Sequence, residues 1–498
     1  MPLASLKLPP GLFRAGTEYQ SAGRYYDADR VRWYAGTIQP MRGWRQRAVS
    51  ALAGLARAAL TWRDNTSARW AAVGTHTKLY ALESGVDVYD ITPAGFSTGR
   101  ASASAAVGYG TGAYGEEAYG TPRTETSLTG TLPATVWSLD TWGENLVACS
   151  PDDGKLYEWT LNTAADAVAI SGAPVDCTGL VVAEERILFA LGASGDPRRV
   201  AWSDQEDNTD WTPVATNQAG SFTLTTPGQI VAGRRSRAGV LILTDVDAWL
   251  AQYQGPPFVY GFRLVGSECG VVSPGAIAST STFNVWMGRS GFWLFDGYVK
   301  PLSCEVHDAV FGDINYAQIS KATAVVKRAF GEVWFFYPSE SSNENNRAVV
   351  WNYRENTWTM AKYPRTCGDD SGVFELPLLV SPEGVVYEHE VGWDYVDGAT
   401  DYGLPYVEGG PLEIGLGERV MMARQLFPDE ATQGGVTATF YTRFYPNGPE
   451  STHGPYTMSA PTNVRFSGRQ ARVRYTGSAP GDWRVGNNRL EGVPGSER

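Results

Sequence analysis

One theme recurs through the middle of this chain: a run rich in Val, Leu or Ile, a polar turn, then a second run carrying an aromatic pair. It is seen in RAALTWRDNTSARWAAVGTHTKLYAL (57–82), VWSLDTWGENLVACSPDDGKLYEWT (136–160) and LVVAEERILFALGASGDPRRVAWSD (180–204). It returns at 230–253, 276–297 and 322–360, and in a shorter unit at 376–392. Matching aromatics at Tyr157, Trp202, Trp249, Trp293, Trp351 and Tyr387 lie 36–58 residues apart. Most of these intervals sit near the ~40–50 residues of a four-stranded propeller blade. Within each unit apolar and polar residues alternate with period two, as around Lys78-Leu79-Tyr80-Ala81-Leu82. A lone blade cannot bury both of its faces, whereas blades stacked radially bury each other. The theme predicts an all-β chain with a propeller of six to seven blades over 57–404; an array of β-sandwiches is the alternative.

Composition agrees with sheets. Aromatics make up 12% of the 498 residues, with 17 Trp and 25 Tyr, and 56 Gly and 29 Pro supply turns. A hydrophobic share of 43% is enough for a substantial core. Two regions fall outside the repeat. Residues 94–135 are rich in Gly, Ala, Ser, Thr and Tyr and read as a long insertion between blades, of the kind that is functional or disordered. Residues 405–498 form a separate strand-rich segment, with its best strands at 436–448 and 464–477. Residues 1–56 are extended, aromatic and basic, and are expected to dock with that C-terminal segment as a strand-rich platform formed by the two termini.

The net charge of −12 is unevenly spread. Residues 1–60 carry nine Lys/Arg against three acids, and residues 461–498 carry seven Arg against three, so the stretch between them holds −22. A protein gripping DNA tightly would show a basic body, the reverse of this. The five cysteines (Cys149, Cys177, Cys269, Cys304, Cys367) are odd in number and far apart, and read as small buried apolar residues rather than a disulfide framework. No apolar run reaches the ~18 residues of a membrane helix, and the N-terminus lacks the apolar centre of a signal peptide. A protein made in the cytoplasm is the expectation.

Motifs with chemistry are weak. Gly110 to Gly115 matches GxGxxG, but Ser/Ala/Gly sequence precedes it and Glu116-Glu117 and Pro122 follow, where a dinucleotide site needs a strand and a helix. Asp204, Glu206, Asn208 and Asp210 alternate like the start of a calcium loop, yet Thr209 and Ala215 stand where Gly and Glu are required; an acidic connecting loop fits better. His76, His307, His389 and His453 form no metal-binding spacing, and Glu388-His389-Glu390 reads as a strand-end cluster. No nucleophile–base motif is present. Trp286, Phe292, Trp293 and Phe295 could stack on sugars, but their recurrence in strand-like positions makes them core residues first. No catalytic, cofactor-binding or metal-binding residue is nominated.

The stretch 16–44, GTEYQSAGRYYDADRVRWYAGTIQPMRGW, resembles the opening of nozzle, or distal tail-tube, proteins of short-tailed bacteriophages (podoviruses). The similarity lies in Tyr25-Tyr26-Asp27, Val31-Arg32-Trp33, Gly36, Ile38-Gln39-Pro40 and Gly43-Trp44. It continues through Pro197 to Asp204, Asp210-Trp211-Thr212-Pro213, Gly255-Pro256-Pro257-Phe258, Gly291 to Gly297 and Gly481 to Gly486. Each motif is loose; their order along nearly the whole chain carries the resemblance. It implies a virion tail protein, a β-propeller subunit of a homohexameric ring beneath the adaptor (head-to-tail connector) ring that lies under the portal. That ring closes the tail channel, docks fibres, spikes or a tip protein, and lets genomic DNA pass at ejection without specific binding. An acidic lining would let a polyanion slide past, so a middle ringed with arginine would count against it. On this reading the partner interface includes Arg24, Arg30, Arg32, Trp33, Arg42, Trp44, Arg472, Arg474, Trp483 and Arg484. The insertion would supply a channel gate with Tyr109, Tyr114, Glu116, Glu117 and Tyr119. A carbohydrate-active or glycan-binding propeller at the tail tip is the alternative, and a cellular propeller scaffold a third.

Overall fold

The computed structural model describes residues 3–105, 131–413 and 419–495. Seven four-stranded antiparallel sheets follow one another along residues 56–389 and form the blades of a propeller. Blade 1 spans 56–90, blade 2 138–169, blade 3 179–223, blade 4 230–266, blade 5 277–302 and blade 6 323–361. Blade 7 takes three strands, Cys367–Asp369, Leu378–Val380 and Val386–His389, and receives its fourth, Trp44–Gln46, from the N-terminal segment. The ring is thus closed by a strand from outside the repeat. The six aromatics that set the repeat all fall on third strands, from Tyr157 in blade 2 to Tyr387 in blade 7. Five are buried and Trp293 is half-buried, because a third strand faces the neighbouring blade on both sides.

Most seams between blades have an apolar core of their own. Trp62, Trp70 and Trp159 meet between blades 1 and 2, and Phe189, Trp202 and Tyr260 between blades 3 and 4. Trp334, Tyr363 and Trp44 fill the seam between blades 6 and 7. Trp286, Phe292 and Phe295 are core residues of blade 5, as their strand positions suggested. Of the five cysteines, all free, four are buried and Cys304 is half-buried.

The platform is a two-sheet sandwich drawn from both termini. One sheet orders Leu3–Ser5, Arg489–Pro494, Met421–Phe427 and Thr462–Gly468; the other orders Tyr25–Asp29, Tyr406–Gly409, Gln470–Gly477, Val436–Arg443 and Ser451–Thr457. Strict alternation puts Val436, Ala438 and Phe440 inward against Phe466 of the facing sheet, with the Phe440 and Phe466 rings 4.8 Å apart. The platform sits on the rim of blade 6, where Leu12 N–H donates to Trp358 O (2.8 Å) and Arg30 N–H to Met360 O (3.3 Å).

The segment 1–56, expected to serve the platform as a unit, is divided. Its first part builds the sandwich, Val31–Tyr34 and Thr37–Pro40 form a hairpin against blade 6, and the strand from Trp44 belongs to blade 7. Gly43 permits this crossing: a Cβ there would lie 2.0 Å from Asp394 O. No helix among the described residues is long and apolar enough to cross a membrane.

Candidate functional site: the bore, its strap and the ionic joint

The first strand of each blade stands at the axis, and together they enclose a cavity of about 470 Å³. Its charged lining is Arg57, Arg234, Arg235 and Arg328 against Asp140, Asp369 and Asp370. A middle negative throughout was the expectation; the bore is instead mixed, with arginine in slight excess. The cause is visible in the sequence order. Asp140, Asp369 and Asp370 come from blades 2 and 7, which flank blade 1, while Arg234, Arg235 and Arg328 come from blades 4 and 6, which flank blade 5. Even so, the two signs are not segregated, because Arg57 comes from blade 1 itself, Arg235 pairs with Asp140 (2.5 Å) and Arg328 Nε donates to Asp370 O (2.8 Å).

The stems of the 94–135 insertion cross one mouth of this bore. They run from the end of blade 1 to the connection between blades 5 and 6, on the far side of the ring. Ala103 and Gln318 exchange two hydrogen bonds (3.0 and 3.1 Å), and Ala134 N–H donates to Ser320 Oγ (3.1 Å). Under this strap lies a buried ionic cluster. Arg57 binds both oxygens of Glu344 (2.7 and 2.8 Å) and donates to Ala101 O (2.7 Å). Lys321 Nζ donates to Glu344 Oε1 (2.8 Å) and to Ser102 Oγ (2.9 Å). The Arg57 and Lys321 side chains have no exposed surface. Burial would raise the Glu344 carboxyl, but Arg57 and Lys321 together outweigh it and hold the group below its usual range. The bore is closed at this end and open at the other. The proposed gate residues Tyr109, Tyr114, Glu116, Glu117 and Tyr119, and the GxGxxG stretch, lie outside the described residues.

A second cluster joins the hairpin to blades 6 and 7. Arg32 forks between Glu332 (2.8 and 3.0 Å) and Glu390 (2.9 and 2.7 Å), and Lys327 adds a bond to Glu390 (2.9 Å). Burial alone would raise Glu390; Arg32 and Lys327 outweigh it and hold the carboxyl at about 2. Next to it, His389 Nε2 accepts from Arg365 Nε (2.8 Å), so the imidazole is neutral with its proton on Nδ1. Burial first, then Arg365 and Lys327, push its pKa well below the ordinary histidine value. Glu388 completes the run by pairing with Arg45 (2.6 Å) and Arg47 (2.7 Å). The strand-end triplet Glu388-His389-Glu390 thus fastens the closing strand to the ring.

Several residues expected at a partner interface are engaged within the subunit. Arg30, Arg32, Trp33, Trp44 and Trp483 are buried within the subunit. Arg24 pairs with Glu305 (2.7 Å), and Arg472 binds Glu450 and Glu408 within the platform. Arg474 lies 3.7 Å over the Tyr406 ring. Arg42 and Arg484 remain exposed. The basic N-terminal excess is directed at the acidic body of the same chain, through Glu305, Glu332, Glu344, Glu388 and Glu390. What could have revealed this is the recurrence of single Glu residues at the ends of blade strands; sequence separation hid the pairing.

The acidic loop at 204–210 uses its carboxylates on its own turns. Asp207 Oδ1 accepts from Thr209 N–H (2.9 Å) and hydroxyl (2.6 Å), and Asp204 Oδ1 accepts from Gln205 N–H (2.8 Å) and Gln218 N–H (2.7 Å). Among the described residues no three His, Cys, Asp or Glu side chains converge as a metal site would require.

No protein-family model matches the chain, and no curated protein matches it. Among solved structures, it is similar to virginiamycin B lyase from Staphylococcus aureus at 6% identity and a TM-score of 0.44, covering 70% of this chain and 99% of that one. It is similar to the β-propeller domain of Cps50 (Swd1) from Myceliophteria thermophila at 10% identity and a TM-score of 0.39, covering 69% of this chain and 99% of that one.

Proposed function

We propose that this chain is a structural subunit of the nozzle of a short bacteriophage tail, part of a ring that closes the DNA channel until infection and carries fibres or spikes. The observation that supports the reading most is where the resembling motifs fall. Val31-Arg32-Trp33, Ile38, Pro40 and Gly43-Trp44 follow one another through the joint that mounts the platform on the propeller. A motif succession that builds one joint is a better family mark than scattered surface matches.

In this proposal DNA does not pass through a propeller. A bore of about 470 Å³, strapped at one end, cannot admit a duplex whose major groove alone is about 12 Å wide. The genome instead runs along the shared axis of the ring, past the outer faces of the acidic bodies, where repelled phosphate does not stick. The role is mechanical rather than catalytic. Mass spectrometry of purified virions and cryo-electron microscopy of their tails test it. We expect the chain in the particle, as a ring of copies below the adaptor. Its absence from particles would end the proposal.

A further inference from the structure

Four charges lining the bore, Arg234, Arg328, Asp369 and Asp370, form no ion pair among the described residues, and two of them, Arg234 and Asp369, lie within first strands of blades. Arg234, on the first strand of blade 4, donates from Nη1 to Gly233 O (2.9 Å) and from Nη2 to Pro274 O (2.9 Å), and forms no ion pair among the described residues. Asp369, on the first strand of blade 7, accepts at Oδ2 from Thr61 N–H (2.8 Å) and hydroxyl (2.5 Å), and likewise forms none among them. Arg57, Arg235 and Asp140 are paired, while Asp370 and Arg328 meet only through main-chain groups. Arg235 holds Asp140 (2.5 Å), Glu344 neutralises Arg57, Asp370 accepts from the Arg328 N–H (3.0 Å), and Arg328 itself is exposed at the open mouth.

Holding Arg234 and Asp369 unmatched in one enclosed space costs free energy that apolar side chains of similar size would not. Burial keeps the Arg234 pKa below the ordinary guanidinium range and the Asp369 pKa above the ordinary carboxyl range, as expected of charges without full compensation. Ionisable groups perturbed in this way inside a cavity are candidates for binding. The rest of the lining is mixed, with Leu60, Leu139 and Ala324 beside Ser279, Thr280 and Thr323. The volume lies within the range of small-molecule sites.

We propose that the bore binds a small zwitterion, its carboxylate on Arg234, its ammonium on Asp369 and its methylenes beside Leu60, Leu139 and Ala324, entering by the mouth opposite the strap. This stands independently of the nozzle reading. Isothermal titration of the full chain with glycine, β-alanine, γ-aminobutyrate and δ-aminovalerate tests it, since the series steps the distance between the two charges. One member should bind with one-to-one stoichiometry, and acetate and butylamine should each bind at least about tenfold more weakly. Arg234→Met and Asp369→Asn should each weaken that member at least about thirtyfold, and Arg234→Lys less. Heat release from no member up to roughly 10 mM overturns the proposal. So does acetate or butylamine matching the best zwitterion, or binding that survives both substitutions. The wild-type series decides alone should a substituted chain fail to fold.

Discussion

At Arg32 the chain buries a guanidinium between two carboxylates that lie 300 and 358 residues further on. Such a fork is expensive to break, because either deletion leaves buried charge of one sign. Arg32→Met should destabilise the protein by about 3–5 kcal/mol, read from chemical denaturation. Beside it, His389 gives the pH dependence. Its imidazole must stay neutral to accept from Arg365, whereas the unfolded chain protonates it below its ordinary value of 6.5. The unfolded state then binds the extra proton, so stability falls as pH drops below about 6.5, by up to roughly 1.4 kcal/mol per pH unit. Glu390 acts lower down. Its folded value of about 2 lies beneath the ordinary 4.5, so its contribution, of order 3 kcal/mol, is complete above pH 4.5 and is lost as pH falls towards 2. Denaturation midpoints across pH 4.5 to 7.5 should therefore slope for the wild type and flatten for His389→Gln. Neither group's role is written locally. Arg32 reads as a surface cation because no acid near it in sequence pairs with it, and only the fold brings Glu332 and Glu390 to it.

Elements whose partners are close in sequence were legible; those closed by distant ones were not. The seven units stand out because each repeats the alternation and carries its aromatic on the third strand, a local signal. Trp44–Gln46 gave no such signal, since three residues cannot display a period and the strand they pair with lies some 340 residues away. Trp44 still anchors that strand, packed against Tyr363 at 5.0 Å and His389 at 5.4 Å. Trp44→Ala should cost about 3–5 kcal/mol and open blade 7 first, seen as early hydrogen exchange at Leu379 and Tyr387. The strap is the second such element. Its sequence reads as featureless Gly, Ala and Ser, yet it is held by buried cations from the blade 1 strand and the connection before blade 6. Glu344→Gln removes the charge that keeps Arg57 and Lys321 matched. We expect exchange at Ala101, Ala103 and Ala134 to rise by about tenfold or more while the blade strands stay protected. Equal loosening of strap and blades would mean that the cluster supports the ring and not the strap.

Propeller and platform share one core. The apolar cluster that contains Leu243, Trp286 and Phe335 of blades 4 to 6 also contains Leu12, Val31 and Trp33 of the N-terminal segment and Phe440 and Tyr475 of the sandwich. The remaining seams are separate clusters, each confined to neighbouring blades. Domains that meet only through polar, modest interfaces move and melt independently. Here the division runs the other way: the platform is bound to blades 4 to 6 more continuously than those blades are to blade 1. The N-terminal chain explains why, because it begins in the sandwich, lies along blade 6 and ends as the closing strand of blade 7. The sandwich should therefore not melt ahead of the ring. Scanning calorimetry of the full chain should show a single dominant transition, with tryptophan fluorescence from the blades and loss of sheet signal coinciding. Arg32→Met leaves that apolar core in place, so it should lower the temperature of the transition without splitting it. Two transitions in the wild type would show that the shared apolar core does not couple the two parts.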